Sequence, residues 1–348
     1  MNFIKKAFLI YVVLVLLESF YLTALIAYKY KKPIGNDFWL HLEIAKSYAR
    51  GELALFKPEF MKPNKGPYPP FFHLFLALFV KFKVPILAGT VMQVFFYPLV
   101  LFATLFLVLK KGNKIRASFV PVLMFSSIAL FDRTQVIPQA IDMILFPFAI
   151  HFFLEKKNMA FIILMLIMIY SHGAFAFLLF ASLVVYSLRN NFNISIIKKV
   201  LIFSLPLIII TLIYLPSYII SALEIKNEQE LLVRTSLRYA IWYVGYPIAF
   251  LLPFSLIYYL KKAKNGFELL ILLWFIMLLP LLIFYPDRFC SYIIAPASIM
   301  ISKRLADLTN RNKILGLLCI TLLYFIGLVS YTYWFNALHG INYRFDVH

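Results

Sequence analysis

The chain has 348 residues, 63% of them hydrophobic and only 14% charged, whereas a soluble domain is nearer half apolar and a quarter charged; this composition belongs in a bilayer. A formal net charge of +19 would point a soluble protein toward nucleic acid, but Lys and Arg stand here in short clusters between apolar runs. That is the pattern of a polytopic membrane protein, and it excludes nucleic acid as a partner.

Lys5 and Lys6 precede an apolar run, Ala7 to Tyr28. It lacks a small-x-small cleavage site and reads as an uncleaved first span leaving the cytoplasm. Residues 29–85 form the one long polar stretch and are expected as an outer loop. Within it Asn36 to Arg50 reads as an amphipathic helix. Phe71 to Val80, behind Pro69 and Pro70, is too short to cross and reads as a juxtamembrane helix. Ile86 to Leu109 then returns to the basic cluster Lys110 to Arg116; counting Phe71 to Val80 as a span would put that cluster and every later one outside.

The remaining apolar runs alternate as Ala117–Phe131, Ile141–Leu154, Met159–Tyr170, Ala174–Leu188, Val200–Leu223, Tyr239–Leu260, Phe267–Tyr285, Phe289–Ser302 and Ile314–Phe335. The expectation is an all-α polytopic membrane protein of about eleven transmembrane helices in a cell membrane. It is one membrane domain over residues 1–348 with no soluble C-terminal domain. The N-terminus is cytoplasmic, and the first loop and C-terminus are outside. Eighteen Lys and Arg then lie inside, ten in the long first loop and six in all other outer segments, with long loops exempt from the charge bias. Cys290 and Cys319 both fall in apolar runs and make no disulfide framework.

The unusual polar residues gather at the outer ends of the runs. Asp37 and His41 stand four apart, on one ridge of the expected helix, while Glu43, Lys46 and Arg50 share another. Asp37 could serve chemistry, or it or Asn36 could simply cap the helix; His41 could equally be a packing residue. His73 sits on an apolar helix, where a satisfied structural histidine is the commoner case. His172, in Ser171-His172-Gly173, stabilises a hairpin or serves a site. Asp142 lies near the outer end of a span, where a carboxylate needs a partner or a function, and Glu18 lies deeper in the first span. Asp287 and Arg288 pair with each other, or the guanidinium faces a lipid phosphate. No P-loop, dinucleotide fingerprint, zinc-protease motif or Gly-x-Ser-x-Gly elbow is present.

Asn36-Asp37-Phe38-Trp39-Leu40-His41, Tyr68-Pro69-Pro70-Phe71-Phe72-His73, Gln139-Ala140-Ile141-Asp142 and Asp287-Arg288-Phe289 with Pro296-Ala297, taken in order and on one side, resemble the GT-C superfamily of polytopic glycosyltransferases. That group uses polyprenyl-phosphate-linked sugars and includes protein O-mannosyltransferases, lipid A aminoarabinose transferases and catalytic oligosaccharyltransferase subunits. The Trp-Trp-Asp-type peptide motif of the last is missing.

The resemblance implies inverting transfer of a sugar from a polyprenyl-phosphate carrier to an acceptor hydroxyl at the outer face, among membrane lipids. Asp37 is the implied general base, with His41 beside it as a catalytic candidate. Arg288, His73, Asp142, His172 and Tyr68 are the candidate donor contacts. A divalent cation stays open, with Asp37, His41 and Asp142 as candidate ligands. The rival expectations are a transporter or flippase of a lipid-linked intermediate, and a non-catalytic membrane protein of the same fold.

Overall fold

A computed structural model describes residues 2–33, 36–52, 68–133, 137–209, 212–213, 241, 244–263, 266–284 and 286–340. The described residues are helical and contain no strand. In chain order the helices are α1 (Asn2–Tyr30), α2 (Asn36–Ala49), α3 (Phe71–Lys81), α4 (Pro85–Lys111), α5 (Lys114–Phe125), α6 (Ile128–Arg133), α7 (Pro138–Leu154), α8 (Asn158–Ser171) and α9 (Gly173–Asn190). There follow α10 (194–209), α11 (Tyr246–Lys262), α12 (Gly266–Phe284), α13 (Pro286–Arg311) and α14 (Lys313–Gly340).

Among the described residues, Lys6–Tyr30, Pro85–Lys111 and Lys313–Thr332 are long and apolar enough to cross a bilayer, and five shorter apolar helices accompany them. This is an all-α polytopic membrane protein. The α1 helix shows its sidedness in burial: Phe8, Val12 and Val15 point into the bundle, while Leu9, Ile10, Val13 and Leu17 are exposed, as a lipid-facing helix requires. Glu18, the acid in this span, accepts a hydrogen bond from Tyr324 of α14.

The α13 helix is the central post, packed against α5, α11, α12 and α14, and Ile294, Ala297, Ile299, Met300 and Ile301 on it are all completely buried. Side-chain links collect the basic turns at one end. Lys111 pairs with Glu155, Asn193 donates to Asn158, and Tyr258 donates to Asp307. The guanidinium of Arg116 donates to both oxygens of Glu268, at 2.5 and 2.9 Å, and to the Ile299 carbonyl at 3.2 Å. These contacts tie α5, α12 and α13 together, and Tyr259 of α11 also donates to Glu268.

The expected span Ala117–Phe131 is not one helix. It stops at Phe125 and resumes at Ile128, with the Ser126 and Ser127 N–H groups turning back to the Leu123 and Met124 carbonyls. Gly245 fits against this break at φ +101°. A Cβ there would lie 2.7 Å from the Ser126 carbonyl oxygen, so the left-handed backbone and the close approach both call for glycine. Val200–Leu223 and Tyr239–Leu260 lie partly outside the described residues.

Candidate active site

The two helices of the first loop are built to be buried on one side. On α2, Phe38, Leu42 and Ala45 recur at helical spacing; on α3, Phe72, Leu76 and Ala77 do the same. These faces meet in a small core that takes in Ala88, Met92 and Phe96 of α4, Ile137 just before α7, and Ala140 of α7. Gly89 of α4 lets the approach happen: a Cβ there would stand 2.6 Å from the Phe38 ring and from Pro33. The opposite face of α2 is wet, with Lys46 and Glu43 paired at 2.6 Å. His41 thus lies on the buried side of this helix, and Glu43, Lys46 and Arg50 on the solvated one.

His41 and His73 are carried into that core, 4% and 0% exposed. Nδ1 of His41 lies 2.9 Å from Nε2 of His73, and Nδ1 of His73 lies 3.0 Å from the Pro69 carbonyl oxygen. A carbonyl can only accept, so Nδ1 of His73 carries a proton; its Nε2 is then the acceptor, and Nδ1 of His41 donates to it. The bare nitrogen of the pair is Nε2 of His41.

Aromatic rings hold both imidazoles. Tyr68 meets them edge-on at centroid distances of 5.2 and 5.9 Å, Phe72 abuts them at 5.6 and 5.8 Å, and Tyr48 stacks on His73. Burial lowers both histidines. His73 falls to about 4, partly offset by the Pro69 carbonyl. His41 falls well below 6.5 through burial and then through His73 and His172. Both rings are therefore neutral at pH 7.

His172, between α8 and α9, is electrostatically coupled to His41 and so belongs to the same end of the bundle. Its Nδ1 is 3.2 Å from the hydroxyl of Tyr292, which donates to Oε1 of Gln139 at 3.0 Å. Three residues later on α7, Asp142 is completely buried with neither oxygen hydrogen-bonded among the described residues. It is inside the bundle, one turn deeper than Gln139.

The structure thus brings together His41, His73 and Tyr68, with His172 close enough to act on His41, while Asp142 lies one turn along α7 from Gln139. Asp37 falls in the first turn of α2 and Arg288 in the first turn of α13, but their side chains lie outside the described residues. Tyr48, Gln139 and Tyr292 are additions that sequence reasoning did not single out. Tyr48 carried a signal, since His41, Ala45 and Tyr48 follow the 4-then-3 spacing of one helix ridge. Among the described residues no three His, Cys, Asp or Glu side chains gather to hold an ion, and Nδ1 of His41 is committed to His73.

No protein-family model matches the chain, and no curated protein matches it. Among solved structures it is similar to the crystal structure of ArnT from Cupriavidus metallidurans bound to undecaprenyl phosphate. The TM-score is 0.57 at 15% sequence identity, with 91% of this chain and 64% of that chain covered. The chain shares the overall fold of that protein. The histidine pair is mounted on α2 and α3, and this chain spans a little under two thirds of the length of the ArnT chain.

Proposed function

We propose that the chain is a membrane glycosyltransferase that moves a sugar from a polyprenyl-phosphate carrier to an acceptor hydroxyl at the outer face of a cell membrane, with inversion. The observation that carries this reading is the GT-C fold, shared over 91% of the chain with a protein whose crystal structure is bound to undecaprenyl phosphate.

The chemistry needs little from the protein. The bond from the anomeric carbon to the phosphate oxygen breaks and the polyprenyl phosphate leaves as a stable anion. The acceptor oxygen bonds to the opposite face of that carbon, and its proton goes to a base. Asp37, at the head of α2, is the base in this reading. A positioned proton acceptor of this kind is worth about 10²–10⁴ in rate. Arg288, at the head of α13, takes the leaving phosphate through its planar fork. His41 is a poor base because burial disfavours the imidazolium it would become, but its unprotonated Nε2 suits a hydroxyl that must be oriented rather than deprotonated.

A second reading, movement of a lipid-linked intermediate, draws on one feature, the break between α5 and α6, since transporters use interrupted helices. The histidine pair outside the spans favours the enzyme. Incubating the purified protein with a panel of radiolabelled polyprenyl-phosphate sugars in lipid vesicles tests the choice. Sugar transfer abolished by Asp37→Asn supports the enzyme; translocation of the labelled lipid without transfer would replace it with the transporter.

A further inference from the structure

We propose that His73 is a positioning residue that locks His41 in its Nδ1–H tautomer, so that Nε2 of His41 is a fixed hydrogen-bond acceptor for a hydroxyl of the substrate and turns phosphate oxygens away. The substrate part rests on the glycosyl-transfer reading; the tautomer does not.

The two contacts leave a single neutral solution. If His41 carried its proton on Nε2, its Nδ1 lone pair would face the Nε2 lone pair of His73 at 2.9 Å. Moving the His73 proton to Nε2 would repair that contact and spoil the other, setting the bare Nδ1 against the Pro69 oxygen at 3.0 Å. Ring flips offer no escape, because Tyr68 and Phe72 abut both imidazoles and Tyr48 lies parallel to His73, and a flipped His73 would put carbon where the donor must be. The backbone carbonyl of Pro69, which cannot change its hydrogen-bonding sense, therefore dictates the state of a nitrogen two imidazoles away.

Consequences for recognition follow from the lone pair. Nε2 of His41 bonds an incoming O–H and repels an unprotonated phosphate oxygen, so donor phosphate and acceptor hydroxyl are kept in separate places. This recasts His73, taken from sequence as a donor contact: its two nitrogens are occupied by Pro69 and His41, and it acts through His41.

The test is nitrogen NMR on full-length protein labelled at histidine and held in lipid nanodiscs, with His41 assigned by loss of its signals in His41→Gln. The expected spectrum has His41 protonated at Nδ1 and bare at Nε2. Methyl α-glucopyranoside should shift the Nε2 resonance saturably, and inorganic phosphate should not. His73→Gln, whose amide oxygen still accepts from His41, should keep both results. His73→Leu, which removes the acceptor without opening the apolar core, should give mixed His41 tautomers and about tenfold weaker glycoside binding. A wild-type His41 protonated at Nε2 would overturn the lock. The stated tautomer with no glycoside shift, or equal glycoside binding in the Leu and Gln variants, would overturn the substrate part. Neither readout requires sugar transfer, so failure of the proposed function is seen separately in the vesicle assay.

Discussion

Arg116 at the basic end and His73 at the other are both almost wholly buried, at 2% and 0% exposure, yet they are satisfied in opposite ways. Arg116 keeps its charge, opposed by Glu268 and bonded to groups on three other helices, Tyr259, Glu268 and Ile299. His73 gives up its charge; burial drives it neutral, and its hydrogen bonds run in one direction, from His41 through His73 to Pro69. A paired charge is a fastening, since removing either half strands the other. A neutral chain of hydrogen bonds ends instead on an unprotonated nitrogen, Nε2 of His41, which can accept one more hydrogen bond.

Breaking the fastening should have the largest effect. Arg116→Leu strands the Glu268 carboxylate and should cost about 3–5 kcal/mol. It should be read as a steep loss of thermal midpoint and of folded yield in detergent, with any surviving protein retaining its histidine tautomers. Next comes Asp37→Asn. Asn caps a helix about as well as Asp, so the midpoint and donor binding should stay at wild-type values while turnover falls on the order of 10²-fold. Near-normal turnover would leave Asp37 with a capping role alone.

A pH titration sharpens the contrast. His73 titrates at about 4 in the folded protein against 6.5 unfolded, and His41 is shifted in the same direction. As pH falls from 6.5 toward 4, the unfolded chain takes up protons that the folded chain refuses, so stability drops, by at most about 1.4 kcal/mol per pH unit for each histidine. Thermal midpoints of wild type and of His41→Leu/His73→Leu, compared across that window, should converge toward pH 7 in slope and separate below it, with the double variant flatter. The smallest effect should come from Gly89→Ala, which pushes on the Phe38 ring and Pro33. A methyl against a ring should cost about 1–3 kcal/mol locally, lowering turnover several-fold through displacement of α2 while the basic end stays intact. Unchanged turnover would show that the ring yields without moving His41.

The helices of the loop were legible because their cause is local. The expected Asn36–Arg50 and Phe71–Val80 correspond to Asn36–Ala49 and Phe71–Lys81, since Pro69-Pro70 and the apolar spacing mark them in the sequence. The break at Ser126-Ser127 was not legible: neither residue is a helix breaker, and the glycine that fits against it is Gly245, at the head of α11 far along the chain. Likewise His41 and His73 each look like lone histidines on apolar faces, and only the docking of α2 on α3 makes them a pair. Tyr292 stands among apolar neighbours and reads as core, yet its hydroxyl joins Gln139 to His172. The roles of Asp37 and Arg288 rest on resemblance and on their helix-head positions.

The α3 helix, eleven residues long, reaches about 16 Å, roughly half the thickness of a hydrocarbon core. His73 and its buried neighbours occupy one side, while Leu74, Phe75 and Leu78 are exposed on the other. In the proposed reading α3 rests at the interface with its apolar side toward the lipid, and the lateral pressure of the lipids would bear on the helix that carries His73. On that reading membrane thickness and headgroup packing become inputs to the site, and a thinner or more curved membrane would hold Nε2 of His41 at a different height above the bilayer.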